Sequence, residues 1–125
     1  MKLILDTGAL VALERNDRSM WAKYTASSHA GLPIVSHGGV VAQVWRNGSR
    51  RARLSSALAG IGVIPLDARL GKRTGELLSS SGTSDVVDAA VVAIASDGDV
   101  IATSDPGDIR LLAAAADIDV GIIAT

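Results

Sequence analysis

The chain has no cysteine, only three aromatic residues (Trp21, Tyr24 and Trp45), and no acidic residue anywhere in positions 18–66. Each absence excludes something. Without cysteine there are no disulfides, thiolate metal ligands or cysteine nucleophiles, a composition compatible with a reducing compartment. Three aromatics are too few for an extended platform on which nucleic-acid bases stack. No stretch of 18 uninterrupted apolar residues occurs, so no membrane span is expected. The opening Met1-Lys2-Leu3-Ile4-Leu5 resembles the start of a signal peptide. Asp6 ends its apolar run, however, and Glu14, Arg15 and Asp17 follow before any small-residue cleavage pattern. A soluble cytoplasmic protein is the expectation.

The acid-free stretch is not charge-free. It holds Arg18, Lys23, Arg46, Arg50, Arg51 and Arg53, half of the 12 basic residues. All 13 acids and the other six basic residues lie outside it, so the overall charge of −1 divides into +6 inside and −7 outside. Such asymmetry fits a surface that meets a polyanion or an acidic partner, although solvated helix faces would look the same.

At 125 residues, 48% apolar and 20% charged, the chain is expected to form one domain over 1–125 with a real core. Short apolar runs read as strands at 3–5, 34–36, 63–66, 100–103 and 120–123, with Pro65 suiting a strand end or sheet edge. Between them lie helical stretches at 9–14, 19–29, 40–45, 51–59, 67–79, 86–96 and 108–116. The helix at 40–45 is expected to end near Asn47-Gly48, and Ser79-Ser80-Ser81-Gly82 reads as a loop. Strands alternating with helices imply right-handed crossovers and a central, mostly parallel five-stranded sheet between helical layers, an α/β/α fold.

In such a sheet, chemistry collects beyond the carboxyl ends of the strands. Asp6 and Asp105 fall there, after the first and fourth strands. Either can also be a helix N-cap, and Asp105-Pro106-Gly107-Asp108 has the order of a cap, a first-turn proline and an acid at N3. Asp88 is different because its helix, Val86-Val87-Asp88-Ala89-Ala90-Val91-Val92, is apolar nearly all round and expected to be buried. A carboxylate there is costly without a cation or several donors. Asp85, three residues earlier, shares its face and can cap the same helix. Converging carboxylates suit Mg²⁺ or Mn²⁺, which favour oxygen ligands. His29 and His37 are expected to be structural or solvated, which argues against zinc.

Leu3-Ile4-Leu5-Asp6-Thr7-Gly8-Ala9-Leu10 resembles the opening strand motif of PIN domains. Asp85-Val86-Val87-Asp88-Ala89 is similar to their Asp-Ala helix, and Ala102-Thr103-Ser104-Asp105 to the Thr-x-Asp turn after their fourth strand. The ordered combination covers essentially the whole chain and resembles VapC-type toxin ribonucleases. That resemblance implies a PIN-like fold and an endoribonuclease using Mg²⁺ or Mn²⁺, with Asp6, Asp88 and Asp105 as core carboxylates. Asp85 is implied as a further metal ligand, with Asp108, Thr7 and Thr103 auxiliary. It also implies an RNA substrate, a small cognate antitoxin and a homodimer. One position departs: Gln43 stands where these domains usually carry a glutamate, which removes a negative charge and implies weaker metal binding. Arg46, Arg50, Arg51 and Arg53 are expected to meet RNA phosphates.

Two other readings compete. A PIN-like fold with weakened catalysis would serve as an RNA- or antitoxin-binding module. A phosphotransfer domain also places acids at strand ends. Haloacid-dehalogenase-type phosphatases, however, need a second Asp where Gly8 stands, and receiver domains need an acidic pair at the first strand. Gly60-Ile61-Gly62 is too short for a nucleotide-binding loop.

Overall fold

A computed structural model of the chain describes residues 1–46 and 51–125, with the Arg51 side chain outside that description. The element order is β1 (Leu3–Leu5), α1 (Thr7–Glu14), α2 (Arg18–His29), β2 (Ile34–His37), α3 (Gly38–Trp45), α4 (Arg51–Leu58), β3 (Gly62–Ile64), α5 (Ala68–Ser81), α6 (Val86–Ala93), β4 (Val100–Thr103), α7 (Pro106–Ala116) and β5 (Gly121–Ala124). The expected α3 end near Asn47-Gly48 lies outside the described residues.

The five strands form one sheet in the order β3-β2-β1-β4-β5. Every pairing is parallel, so the sheet is parallel throughout. β1 is central, and all three of its residues are buried, as a continuous apolar run in a covered parallel sheet requires. α1 packs with α2, α3 and α4, while α5, α6 and α7 pack with one another. Ile4, Leu5, Leu10, Leu13, Ile101, Ile109 and Leu112 form the deepest part of the core, each essentially inaccessible.

The order has one functional consequence. From β1 the chain builds outward through β2 and β3, then returns to add β4 and β5 on the other side. The switch point is the seam between β1 and β4, and the crevice beyond their carboxyl ends is where an open parallel sheet binds ligands. Leu5 leads into Asp6 there, and Thr103 leads towards Asp105. At the opposite end of the seam, Lys2 donates from both its backbone N–H and its ammonium to Asp99, and Ser96 N–H donates to the same carboxylate at 2.8 Å. Burial pushes Asp99 up, but these donors outweigh it and hold its carboxyl below the usual range.

Several boundaries differ from the sequence expectation, among them the start of α3 at Gly38 and the end of β3 at Ile64, before Pro65. The serine run is not a loop. Ser79, Ser80 and Ser81 complete the last turn of α5, which stops at Gly82 in the left-handed region (φ 72°), its N–H bonded to Leu78 O. Leu70 and Thr74 are buried, and Leu77 and Leu78 pack against the core at helical spacing, carrying the serines along. α6 ends at Ala93, short of 96, because the Arg73 guanidinium takes the Ala93 carbonyl at 2.6 Å and Asp99 takes Ser96 N–H. α1 and α7 each begin two residues early, directly after their capping aspartates.

Candidate functional site

Asp6 is almost wholly buried at the N-cap of α1. One carboxylate oxygen accepts Thr7 N–H at 2.8 Å, and the other accepts the Thr103 hydroxyl at 2.7 Å. The second bond crosses the switch-point seam from β4 to β1. Thr103 Oγ1 also accepts Asp105 N–H at 3.0 Å, so one buried hydroxyl sets the orientation of Asp6 and the turn carrying Asp105.

Asp85 caps α6 by accepting Asp88 N–H at 3.0 Å, and Asp105 caps α7, with Asp108 N–H 3.4 Å from its carboxylate. The capping and clustering roles therefore coincide. A cap uses one oxygen of a carboxylate, and the helix ends it serves all point into the same crevice. Oxygens of Asp88, Asp105 and Asp108 lie within 4.8 Å of one another. Asp6 lies close enough for its charge to act on Asp88. Asp108, expected as an auxiliary acid, supplies one of these three oxygens.

Two carboxyls of the cluster, Asp88 and Asp108, are raised by their surroundings. Burial pushes the Asp88 carboxyl up to about 8, helped by the Asp6 charge, the hydrogen bond to Asp6, and the charges of Asp85 and Asp105. Asp108 is raised first by the Asp105 charge, then by desolvation, its hydrogen bond to Asp105 and the Asp85 charge. Among the described residues, the ion pair found is Lys2–Asp99, at the far end of the sheet, and no lysine or arginine pairs with this cluster. A proton on Asp88 therefore compensates charge that a cation would compensate instead. The donor set is carboxylate oxygen alone, with one ligand buried, which fits Mg²⁺ or Mn²⁺ rather than zinc.

The remaining predicted residues surround this centre unevenly. Gln43 on α3 accepts the Thr7 hydroxyl at 2.6 Å through its amide oxygen, beside Asp6. His37 is fully buried. Its Nε2 donates to Val87 O at 2.9 Å and its Nδ1 accepts Gly39 N–H at 3.0 Å, an arrangement that requires the neutral ring. Burial lowers its pKa, opposed by the Val87 bond and the Asp6 charge. It anchors α6 to β2 and is not a ligand in this geometry. His29 is exposed at the end of α2.

Arg53 is exposed and donates to the Glu14 carbonyl at 2.8 Å, which places it at the opposite end of α1 from Asp6. Arg46 is exposed at the C-cap of α3. Arg50, and the Arg51 side chain, lie outside the described residues. Arg15, the C-cap of α1, is exposed.

No family model matches the sequence. No curated protein matches it either. Solved structures do resemble it. The structure of VapBC2 from Rickettsia felis, bound to a DNA fragment from their promoter, matches with a TM-score of 0.73 at 14% identity, covering 98% of each chain. FitAcB from Neisseria gonorrhoeae matches at 0.62 and 17%, covering 95% of this chain and 96% of that one. Mycobacterium tuberculosis VapC20, a sarcin–ricin loop cleaving toxin, matches at 0.54 and 18%, covering 74% and 80%. At these identities the likeness is one of fold, and the fold is that of VapC-type PIN domains.

Proposed function

We propose that this chain of PIN-domain fold is a Mg²⁺- or Mn²⁺-dependent endoribonuclease of the VapC toxin type. The observation that supports the reading is the clustering of Asp88, Asp105 and Asp108 at the β1–β4 switch point, with Asp6 and Asp85 near enough to act on Asp88 and no basic partner among the described residues. Asp6, Asp88 and Asp105 would hold the ion, with Asp85 and Asp108 offering further oxygens. The chemistry such an ion supplies is charge stabilisation at a phosphoryl oxygen and activation of a water for in-line attack.

The chain's own contribution is preorganisation. Thr103 and Thr7 N–H fix both oxygens of Asp6. The half-exposed Asp108, raised by its neighbour Asp105, can hold or pass a proton at its carboxyl. A small antitoxin as partner is supported by the likeness to VapBC2 and FitAcB. A homodimer and a cytoplasmic site of action belong to the same reading. Purified protein should cleave single-stranded RNA with Mg²⁺ or Mn²⁺ and stop in EDTA. RNA bound but uncut under every metal would favour the binding module instead.

Gln43 gives this site one negative charge fewer than a glutamate would. An added unit charge about 4 Å from a cation is worth about 1 kcal/mol even at the dielectric of water. Gln43→Glu should therefore tighten Mn²⁺ binding by at least about fivefold, read by calorimetry. Equal or weaker binding in the variant would show that the Gln43 amide serves only to hold Thr7.

A further inference from the structure

α1 carries opposite charges at its two ends. Asp6 caps its start and Arg15 its finish, with eight helical residues between, a length of about 12 Å at 1.5 Å per residue. Thr7, Val11 and Arg15 recur at intervals of four and share one face. With Gly8, Ser104 and Thr125 they line a groove of about 500 Å³.

Gly8 makes the closed wall of that groove possible. A Cβ there would lie 2.6 Å from Ser104 Cβ and 2.8 Å from Thr125 Oγ1, too close for either to stay in place. The missing side chain lets the loop after β4, which carries Asp105, close directly against α1. The groove therefore begins beside the carboxylate cluster.

At its other end, Arg15 also lines a second depression of about 580 Å³, together with Asn16, Ala52 and Arg53. Arg15 is the residue common to the two. Arg53 is held in place by its bond to Glu14 O, which leaves most of its guanidinium donors to face a ligand. Both arginines are exposed, and neither has an ion-pair partner among the described residues. Asp17 also borders the first groove, with one oxygen committed to capping α2 at Met20 N–H.

We infer that this groove is the track for single-stranded RNA leaving the carboxylate cluster, with Arg15 gripping a backbone phosphate and Arg53 continuing the path. The inference rests on the ribonuclease reading above and adds a residue and a direction to it. Twelve ångströms correspond to roughly three to four phosphates at the per-strand spacing of about 3.4 Å of a stacked duplex. RNA fits better than an acidic peptide because the groove connects arginines to a centre suited to phosphodiesters. A polyanion running through it would present a scissile phosphate at one end and a neutralised one at the other.

The test is anisotropy of a labelled 12-nucleotide single-stranded RNA in Ca²⁺ buffer over a salt series. Wild type, Arg15→Ala, Arg15→Lys and Lys72→Ala (an exposed site on α5) would be compared, with melting curves confirming that each is folded. Arg15→Ala should weaken binding about five- to tenfold at low salt. It should also reduce the slope of log affinity against log salt by about 0.7, the value for one phosphate contact on a single strand. Arg15→Lys should keep the slope, and Lys72→Ala should change neither quantity. Unchanged affinity and slope in Arg15→Ala, with wild type binding and cleaving RNA, would overturn the track but leave the ribonuclease standing. A glutamate-rich peptide whose binding needs Arg15, while RNA binding does not, would give the groove to an acidic peptide and overturn the inference as well. Failure of wild type to bind RNA at all would instead remove the ribonuclease reading, and the track with it.

Discussion

Asp88→Asn is expected to reduce metal-dependent RNA cleavage by more than about a hundredfold while leaving the metal-free protein at least as stable as wild type near neutral pH. Changing groups that merely orient metal ligands typically costs about 10–100-fold, so removing a buried ligand charge should exceed that range. Stability should move the other way. Without a cation, burial and the neighbouring carboxylates already keep Asp88 protonated up to about pH 8, and a neutral amide of the same shape replaces that neutral acid closely. Asp6→Asn is a less clean probe, because both oxygens of Asp6 accept hydrogen bonds, and an NH₂ in either place would face a donor. RNA cleavage and thermal melting, measured on the same Asp88→Asn preparation, separate the two roles. Retained cleavage would remove Asp88 from the metal centre. A large loss of stability would make it a structural residue.

In EDTA, the Asp88 carboxyl should cost the protein stability as pH rises from about 4 to about 8, and Mn²⁺ should reverse the trend. Asp88 moves from an ordinary value of 3.8 to about 8 in the folded chain. Between those values the folded state holds a proton that the unfolded state has lost, so the free energy of unfolding falls with pH. The stabilising contribution is complete below the ordinary value and gone above the folded one. Asp108, also raised, adds to the same slope. Asp99 acts in another window. Its carboxyl lies below the usual range, so its contribution is present above that range and is lost only as pH falls through its lowered folded value. A cation at the cluster displaces the Asp88 proton, so its affinity should grow towards pH 8 and stabilise the fold most where the metal-free protein is weakest. Melting temperatures in EDTA and in Mn²⁺ across this range give the answer. Asp88→Asn should flatten the metal-free curve, and an identical curve in that variant would assign the slope to other groups.

The sheet was largely legible in the sequence, because its strands are short apolar runs that a covered parallel sheet leaves unbroken, as at Leu3–Leu5 and Val100–Thr103. Ser79–Ser81 misled because serine is a poor helix former taken alone, whereas Leu77 and Leu78 hold that turn against the core. The early stop of α6 was not readable locally. It depends on Arg73, twenty residues away, reaching the Ala93 carbonyl. For the acids, sequence posed capping and metal binding as alternatives, and three-dimensional convergence makes them compatible. The nearness of Asp108 to Asp88 and the bond from Thr7 to Gln43 both required the crevice to be assembled. Arg15 borders two surface depressions, a neighbourhood that exists only once the chain is folded.

The proposed ribonuclease needs the switch-point carboxylates to form one divalent-metal centre. Calorimetric titration of the protein with Mn²⁺ at pH 6 and pH 8, in buffers of different ionisation enthalpy, tests it most directly. The account predicts saturable binding that is tighter at pH 8, with about one proton released per ion at pH 6 and less at pH 8, and loss of that binding in Asp88→Asn. Binding that is unsaturable, indifferent to pH, or unchanged by Asp88→Asn would contradict it.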